Sequence, residues 1–586
     1  MKTKKLLFAI LSVLMIQVYG QQFQINYEVA NKHYHDLNIA PPLQDGTNDF
    51  VVAANLFDSA SNSVISLKRI DQNGNVVGIQ EYTAAAFPET RVFDIATYMD
   101  LLYMTGSVQV SGKSKVFVAR IEAASGNVLD LNYYDMISTN MESVGFHISF
   151  TNSDANGDGS ANPGFVIAGT MGFCNPLDTN ASSCGVKEGF VLRVDMTLNE
   201  IWTTEIESIV SGNNLDYDMA NHITETSDGF FITGSATGED AFSNWQQAVL
   251  AHKINFQSVK QWDKSYIFGN SQDVSVDAYY DTTSDEIYML SNYSATHQFA
   301  VTVFENVTGN IVPAKTWYVT QSDLNHYGFS LTQAANPNNL LISGYDRSET
   351  WTNSGTTYNS KTNLFVYEFE KATGEQVGFS YQYLVENDEL VSDPYNFWNG
   401  QMPLIYYPDI SFMYEPIGIV NYYHIGYKTG PDATTDYTNA NVFKTSFDKN
   451  NECDNLELIF NAIAPTLNLL PNVDSLAGLT VTEVAFTMTN SSIVVSETDC
   501  DAGLAVNESK INTNLVVYPN PVKDYLHFKV DNILSYKVYD VYGRLVKSNS
   551  LGNSQSINTE SLSKGVYFIK LIGKNNTVYS SKFLKQ

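Results

Sequence analysis

Residues 153–169, SDANGDGSANPGFVIAG, hold the side chains best suited to chemistry. Asp154, Asn156 and Asp158 alternate, Gly159 follows, and Asn162 stands ninth counting from Asp154. Alternating oxygen-bearing side chains in a tight loop turn inward around one hard cation; Gly159 permits the bend, and the Ser160 carbonyl can add another oxygen. That chemistry is calcium coordination with a structural role. The twelfth place is Phe165, where an EF-hand has a bidentate Glu, so an EF-hand is excluded. The competing expectation is an Asx-rich turn without metal.

The loop runs straight into an apolar strand, and that strand is one of a series. FVVAANL, LLYMTGS, GFVIAGT, GFFITGS, EIYMLSN, NLLISGY and NYYHIGY begin at residues 50, 101, 164, 229, 286, 339 and 421. Each is preceded by a strand-like stretch and followed by a second one, and turns such as QNGN, ASGN and VTGN often lead into an aromatic-bearing outer strand. Four strands per unit in seven units predict an all-β fold, a seven-bladed β-propeller; a pair of β-sandwiches is the runner-up. QFQINYEV at 22–29 has no unit of its own and is expected to supply the outer strand of the seventh. The predicted organisation is a signal peptide over 1–20, the propeller over 21–453, an extra segment or linker over 454–512, and a small C-terminal β-sandwich over 513–586. The signal rests on Lys2, Lys4 and Lys5 before an apolar run ending in small Gly20.

Aligning the first strand of each unit gives a column: Asp36, Asp94, His147, His222, Asp277, Gly328 and Asp409. Such residues could ring an axis and bind a cation or sugar, or they could bond neighbouring blades together, which is the usual use of buried polar groups. His33 and His35 share one strand face but lack a third ligand. Connections 171–187, 236–246, 346–362, 385–408 and 428–440 should cluster at one end. Among their aromatics, Trp245, Trp351, Tyr358 and Trp398 are the candidate ligand contacts. No HExxH, GxSxG, phosphate-binding Gly loop or CxxC occurs, so no residue is assigned as catalytic.

The chain has 33 Lys or Arg against 63 Asp or Glu, net −30. Residues 513–586 carry ten basic and four acidic groups and the leader three Lys, leaving 20 basic and 59 acidic groups between them. So acidic a region repels phosphate, which argues against nucleic acid as a partner. No later run is long and apolar enough to span a membrane. Cys174, Cys184, Cys453 and Cys500 allow three disulfide pairings; Cys174–Cys184 would close one loop and Cys453–Cys500 would pin the tail segment.

Tyr518-Pro519-Asn520-Pro521, VYDVYGRLV at 538–546, LSKGVYFIKL at 562–571 and the basic terminus SKFLKQ occur in that order. This segment resembles the C-terminal sorting domain of the Bacteroidetes type IX secretion system. The resemblance implies type IX secretion machinery as a partner and a secreted or outer-membrane cell-surface location. The middle resembles the propeller repeats of secreted bacterial proteins, and the loop at 154–162 resembles the nine-residue calcium loops of integrin-like propellers, which usually have Asp where Asn162 stands. The expected function is a surface binding or adhesion protein that contacts glycan or protein. A propeller enzyme acting on polysaccharide and a structural surface component are the alternatives.

Overall fold

The computed structural model describes residues 23–586 apart from a set of connections, the longest being 173–186, 209–217, 384–408, 430–437, 447–454 and 500–510. The predicted signal segment, all four cysteines and Trp398 fall outside the described residues. The chain forms two compact units, Met1–Cys500 and Asp501–Gln586.

Among the described residues, the strands of the first unit form seven five-stranded antiparallel sheets. The first holds Lys32–Ala40, Phe50–Asp58, Ser63–Ile70 and Val76–Thr83; the third holds Glu142–Thr151, Gly164–Gly172, Lys187–Asp195 and Glu200–Ser208. The first strands of successive sheets touch in order, and Asp409–Tyr414 of the seventh touches Lys32–Ala40 of the first, so the series closes on itself. The architecture is all-β and propeller-like. The second strand in each sheet opens on a mostly apolar run because neighbouring sheets cover both its faces; Gly164–Gly172 is buried throughout. A glycine in five of the seven second strands admits the first strand closely: a Cβ at Gly234 would lie 1.7 Å from the Met219 carbonyl oxygen.

Phe23–Glu28 pairs with Thr438–Ser446 as the fourth strand of the seventh sheet. The fifth strands come from the segment expected to be an extra piece or linker. Asn455–Leu458 joins the sixth sheet, Ala462–Ile463 the fifth, Asn468–Leu469 the fourth, Asp474–Gly478 the third, Val481–Ala485 the second and Thr489–Ser491 the first. Ser496–Asp499 finally pairs with Phe23–Glu28 on the seventh. Residues 455–499 thus travel round the rim in the reverse of chain order. The expected loop 346–362 is also mostly strand, because Asn339–Asn353 and Thr356–Glu370 continue as one long hairpin.

Neighbouring sheets are joined at their outer parts by a recurring contact. A fourth-strand aromatic reaches the turn between the third and fourth strands of the next sheet. Tyr82 donates its hydroxyl to the Gly126 carbonyl at 2.8 Å, Tyr134 to Leu198 at 2.7 Å, and Trp262 its indole N–H to Asn306 at 2.7 Å. Tyr27 does the same to Gly74 at 2.7 Å, which carries the pattern from the seventh sheet to the first. Each ring buries most of its apolar surface, worth about 1.5–3 kcal/mol, and each bond adds about 1 kcal/mol net.

The second unit packs the sheet built from Ile511–Asn512, Val578–Lys585, Gly565–Gly573, Ile533–Asp540 and Leu545–Ser550 with a smaller one of Val517–Tyr518, Tyr525–Phe528 and Ser556–Asn558. Leu526, Phe528, Val538, Ile557, Ile569, Leu571 and Phe583 form the core. Asn520 accepts the Leu584 amide at 2.8 Å and donates to the Lys582 carbonyl at 3.1 Å, so the Tyr-Pro-Asn-Pro turn grips the last strand.

The turn under Trp317 gives a direct test of the outer contact. Gly374 has φ +71°, and a Cβ there would lie 2.2 Å from Trp317 Cδ1. Gly374→Ala is expected to cost on the order of 1–3 kcal/mol through backbone strain, read as a lower melting temperature with the strand-rich circular dichroism of the native state unchanged.

Candidate functional site

The inner column is built by β-bulges. The register slips between Val92 and Asp94, Gly145 and His147, Ala220 and His222, and Ser275 and Asp277. A bulge re-aims one side chain and leaves an amide outside the ladder. The neighbouring sheet supplies the acceptor: Asp94 Oδ2 takes the Ile148 amide at 2.8 Å, His147 Nδ1 the Ile223 amide at 3.3 Å, and Asp277 Oδ2 the Leu331 amide at 2.6 Å. Asp94 and Asp277 also cap the amides that follow them, at 2.8 and 2.6 Å.

Register also shifts two members of the column. In the sixth sheet the bulge lies between Gly328 and Ser330, so Ser330 occupies the place assigned to Gly328. In the first it lies between His35 and Asn38, which puts Asn38, not Asp36, opposite Ala53. Asp409 pairs with Ile425 in the seventh. Alignment by residue type could not see these shifts, because a bulge adds a residue without changing the apolar pattern.

The structure brings four of these groups together. His147 and His222 have ring centroids 3.7 Å apart, His222 Nε2 lies 3.0 Å from Asp277 Oδ1, and His147 Nε2 lies 3.6 Å from Asp94 Oδ2. Burial holds His222 down to about 3. Burial, joined by repulsion from His222, holds His147 well below its ordinary value. Burial pushes Asp277 up to about 7, against the two amides bonded to it. Neutral imidazoles hold sheets together, His222 bonded to the Asp277 carboxyl group and His147 accepting the Ile223 amide. A second tier missed by sequence reasoning does the same: Asn55 bonds both backbone groups of Val92, and Asn292 those of Gly328. Each sits where most other sheets have Ser, Thr or Tyr after a glycine, and that break in the repeat is the signal that could have found it.

The loop at 154–162 is closed by its own amides. Asp154 accepts the Gly157 and Gly159 amides, both at 2.7 Å, and Asp158 Oδ1 accepts that of Ser160 at 2.7 Å. The Ser160 amide holds the exposed Asp158 carboxyl below its usual range. Asn156 Nδ2 bonds Asp158 Oδ2 at 3.1 Å. Asn162 is tied inward: its Oδ1 accepts the Ala155 amide at 3.0 Å, and its carbonyl accepts buried Arg193. The Gln257 amide bonds the Asp154 carbonyl, linking the loop to the fourth sheet. The loop offers two carboxylates, and among the described residues no group of three His, Cys, Asp or Glu is placed to hold a metal ion.

The aromatic candidates divide. Trp245 opens the third strand of the fourth sheet, in register with Glu239. Trp351 stands in register with Tyr358 near the tip of the sixth-sheet hairpin. The first strand of that sheet pairs only as far as Arg347, and the short fourth strand only with Leu364, Phe365 and Val366. Among the described residues the hairpin end is therefore a two-stranded ribbon that runs past its sheet.

Residues 516–586 match the secretion system C-terminal sorting domain family. The second unit is a sorting domain. It implies export by the type IX system, and the protein is secreted or held at the cell surface. No helix among the described residues is long and apolar enough to cross a membrane. The sorting-domain elements quoted above account for this unit alone.

Among solved structures, phage phi92 endosialidase is 8% identical with a TM-score of 0.32 and covers 97% of this chain and 87% of its own. Chaetomium thermophilum Sqt1 is 8% identical with a TM-score of 0.34, covering 73% and 99%. The extracellular domain of a hybrid two component system from B. thetaiotaomicron is 10% identical with a TM-score of 0.23, covering 97% and 99%. No curated protein matches the sequence.

The inner column sets a pH dependence. His222 binds fewer protons folded than unfolded between about 3 and its ordinary 6.5, so its contribution rises with pH across that window; His147 acts in the same direction. Asp277 binds more protons folded than unfolded between 3.8 and about 7, so its contribution falls over the overlapping window. Asp277→Asn removes the falling part. Its stability should climb more steeply than wild type between about pH 4 and 6.5, measured as urea midpoints at each pH.

Proposed function

We propose that this protein is a surface-displayed or secreted binding protein, and that its contact face is the end where the second and third strands of the sheets connect. The observation that carries this reading is the sixth-sheet ribbon, which presents Trp351 opposite Tyr358 beyond the reach of its neighbours in the sheet. Trp245 belongs to the same kind of connection in the fourth sheet. Aromatic rings at such a place suit stacking on a sugar or packing against a protein surface. The alternative use of the pair, as a cross-strand contact within the ribbon, is worth only about 0.2–1 kcal/mol. The inner column favours binding over catalysis here, because its carboxylates and imidazoles are engaged with the backbone of adjacent sheets.

Trp351→Ala and Tyr358→Ala should each weaken adhesion to the target polysaccharide or cell surface by roughly tenfold or more, as contact anchors do, with the melting temperature close to wild type. Trp262→Ala is the contrast: its ring is 8% exposed, and its loss should cost about 3–5 kcal/mol of stability. Large melting losses in all three would place the ribbon aromatics in a packing role.

Calcium would be a structural ion of this binding protein. Asp154, Asn156, Asp158 and the Ser160 carbonyl would hold it, with Asn162 fastening the loop beneath. A cation there would stiffen the connection between the first and second strands of the third sheet. Millimolar calcium should raise the wild-type melting temperature, since binding to the native state stabilises it by mass action. Asp154→Ala with Asp158→Ala should abolish that rise. An unshifted wild type would leave the loop as a turn fastened by its own amides.

A further inference from the structure

Residues 455–499 add one short strand, two to five residues long, to every sheet of the first unit. They begin at residues 455, 462, 468, 474, 481, 489 and 496. The step of six to eight residues corresponds to roughly 20–26 Å at about 3.3 Å per residue, a distance that carries an extended chain from one sheet to the next round a rim. Each strand lies outside the fourth strand, which would otherwise be the free edge. The last, Ser496–Asp499, covers the edge of Phe23–Glu28, the strand that completes the seventh sheet from the other end of the chain.

An unpaired strand edge is a template for strand addition by another chain. The fourth strands here carry the aromatics that join the sheets, so a foreign strand pairing there would act on the same elements that hold the ring. The segment's own strands are too short for any one of them to hold firmly alone, yet they are linked in series along one run of chain. The sheets they cover already contain four strands each and are bonded to one another by Tyr27, Tyr82, Tyr134 and Trp262.

We propose that residues 455–499 are a strap, detachable as one unit from a ring that stands without it, which blocks the seven outer edges against strand addition by a second copy of this chain and fastens the N-terminal strand. The strap opens below the free energy of global unfolding, and the opened form self-associates.

Two measurements test this on the mature chain beginning at Gln21. Native-state hydrogen exchange of the unaltered protein should show strap amides exchanging together, at least tenfold faster than the amides of Gly164–Gly172 and Phe50–Asp58. Exchange of strap and inner strands at one common rate would overturn the proposal. The second uses Ala477→Pro with Val484→Pro, at positions that stand opposite Glu205 and Tyr133 of the fourth strands, where proline cannot donate to the ladder. The variant should keep the native near-ultraviolet signal, unfold in urea at least tenfold faster, and shift from monomer to higher species in light scattering as concentration rises. An excess of a free peptide spanning 454–500 should return it to monomer. A variant that stays monomeric and unfolds at the wild-type rate, or one that loses the native signal altogether, overturns the strap as a separable edge guard.

Discussion

The contact on which the first unit depends is an aromatic ring of one sheet laid on the outer turn of the next. A twisted four-stranded sheet cannot bury both faces alone, so each must borrow a cover from its neighbour. Tyr27, Tyr82, Tyr134, Trp262 and Trp317 supply the outer part of that cover, and the turns they rest on are shaped to accept them. At Gly309 and Gly374 no side chain would fit beneath the indole. In the third sheet Leu198 takes the left-handed backbone itself, and its carbonyl receives Tyr134. Because Tyr27 precedes every repeat in the chain yet latches onto the first sheet, the same interaction that joins neighbours also closes the series.

Toward the axis the apolar contact gives way to polar ones, and the reason is geometric. First strands converge, the bulges turn amides out of the ladder, and an amide without an acceptor costs about 1–3 kcal/mol when buried. Asp94, His147 and Asp277 meet that need across the sheet boundary. Burial shows in the ionisation of the column: Asp277 is pushed up to about 7, and His147 and its neighbour His222 are held down, His222 to about 3. Perturbed titration is often a signature of active sites, and here the geometry shows it serving assembly. The ribbon end with Trp351 and Tyr358 and the loop at 154–162 lie in connections between strands, on stretches of chain other than the bulged first strands.

Much of this was legible in the sequence because the repeat is carried by strong local signals. The glycine-broken apolar runs marked the second strands, the Gly-Asn turns marked the tight connections, and QFQINYEV was recognisable as a strand lacking partners. The sorting domain was readable from Tyr518 through Pro521 and from LSKGVYFIKL. What escaped was set by long-range pairing. Residues 455–499 contain strands as short as Ala462–Ile463 and Asn468–Leu469, which have no periodicity to detect; only the spacing between them carries information, and it acquires meaning once seven edges exist to receive them. The ribbon was expected as a loop because Asn, Ser and Thr dominate 352–363, and pairing overrode those weak propensities.

The strap also acts as a ruler. Its seven stations are written in a stretch of chain separate from the sheets they serve, and in the opposite order. Repeat architectures ordinarily change size by gaining or losing one unit, since each unit touches only its neighbours. Here an added sheet would arrive with no station for its edge and would displace every later strand by one step, while a lost sheet would leave a length of strap with nothing to cover. Changing the number of sheets therefore needs two insertions or two deletions at distant places at once, which locks the circumference far more tightly than the interfaces between sheets could.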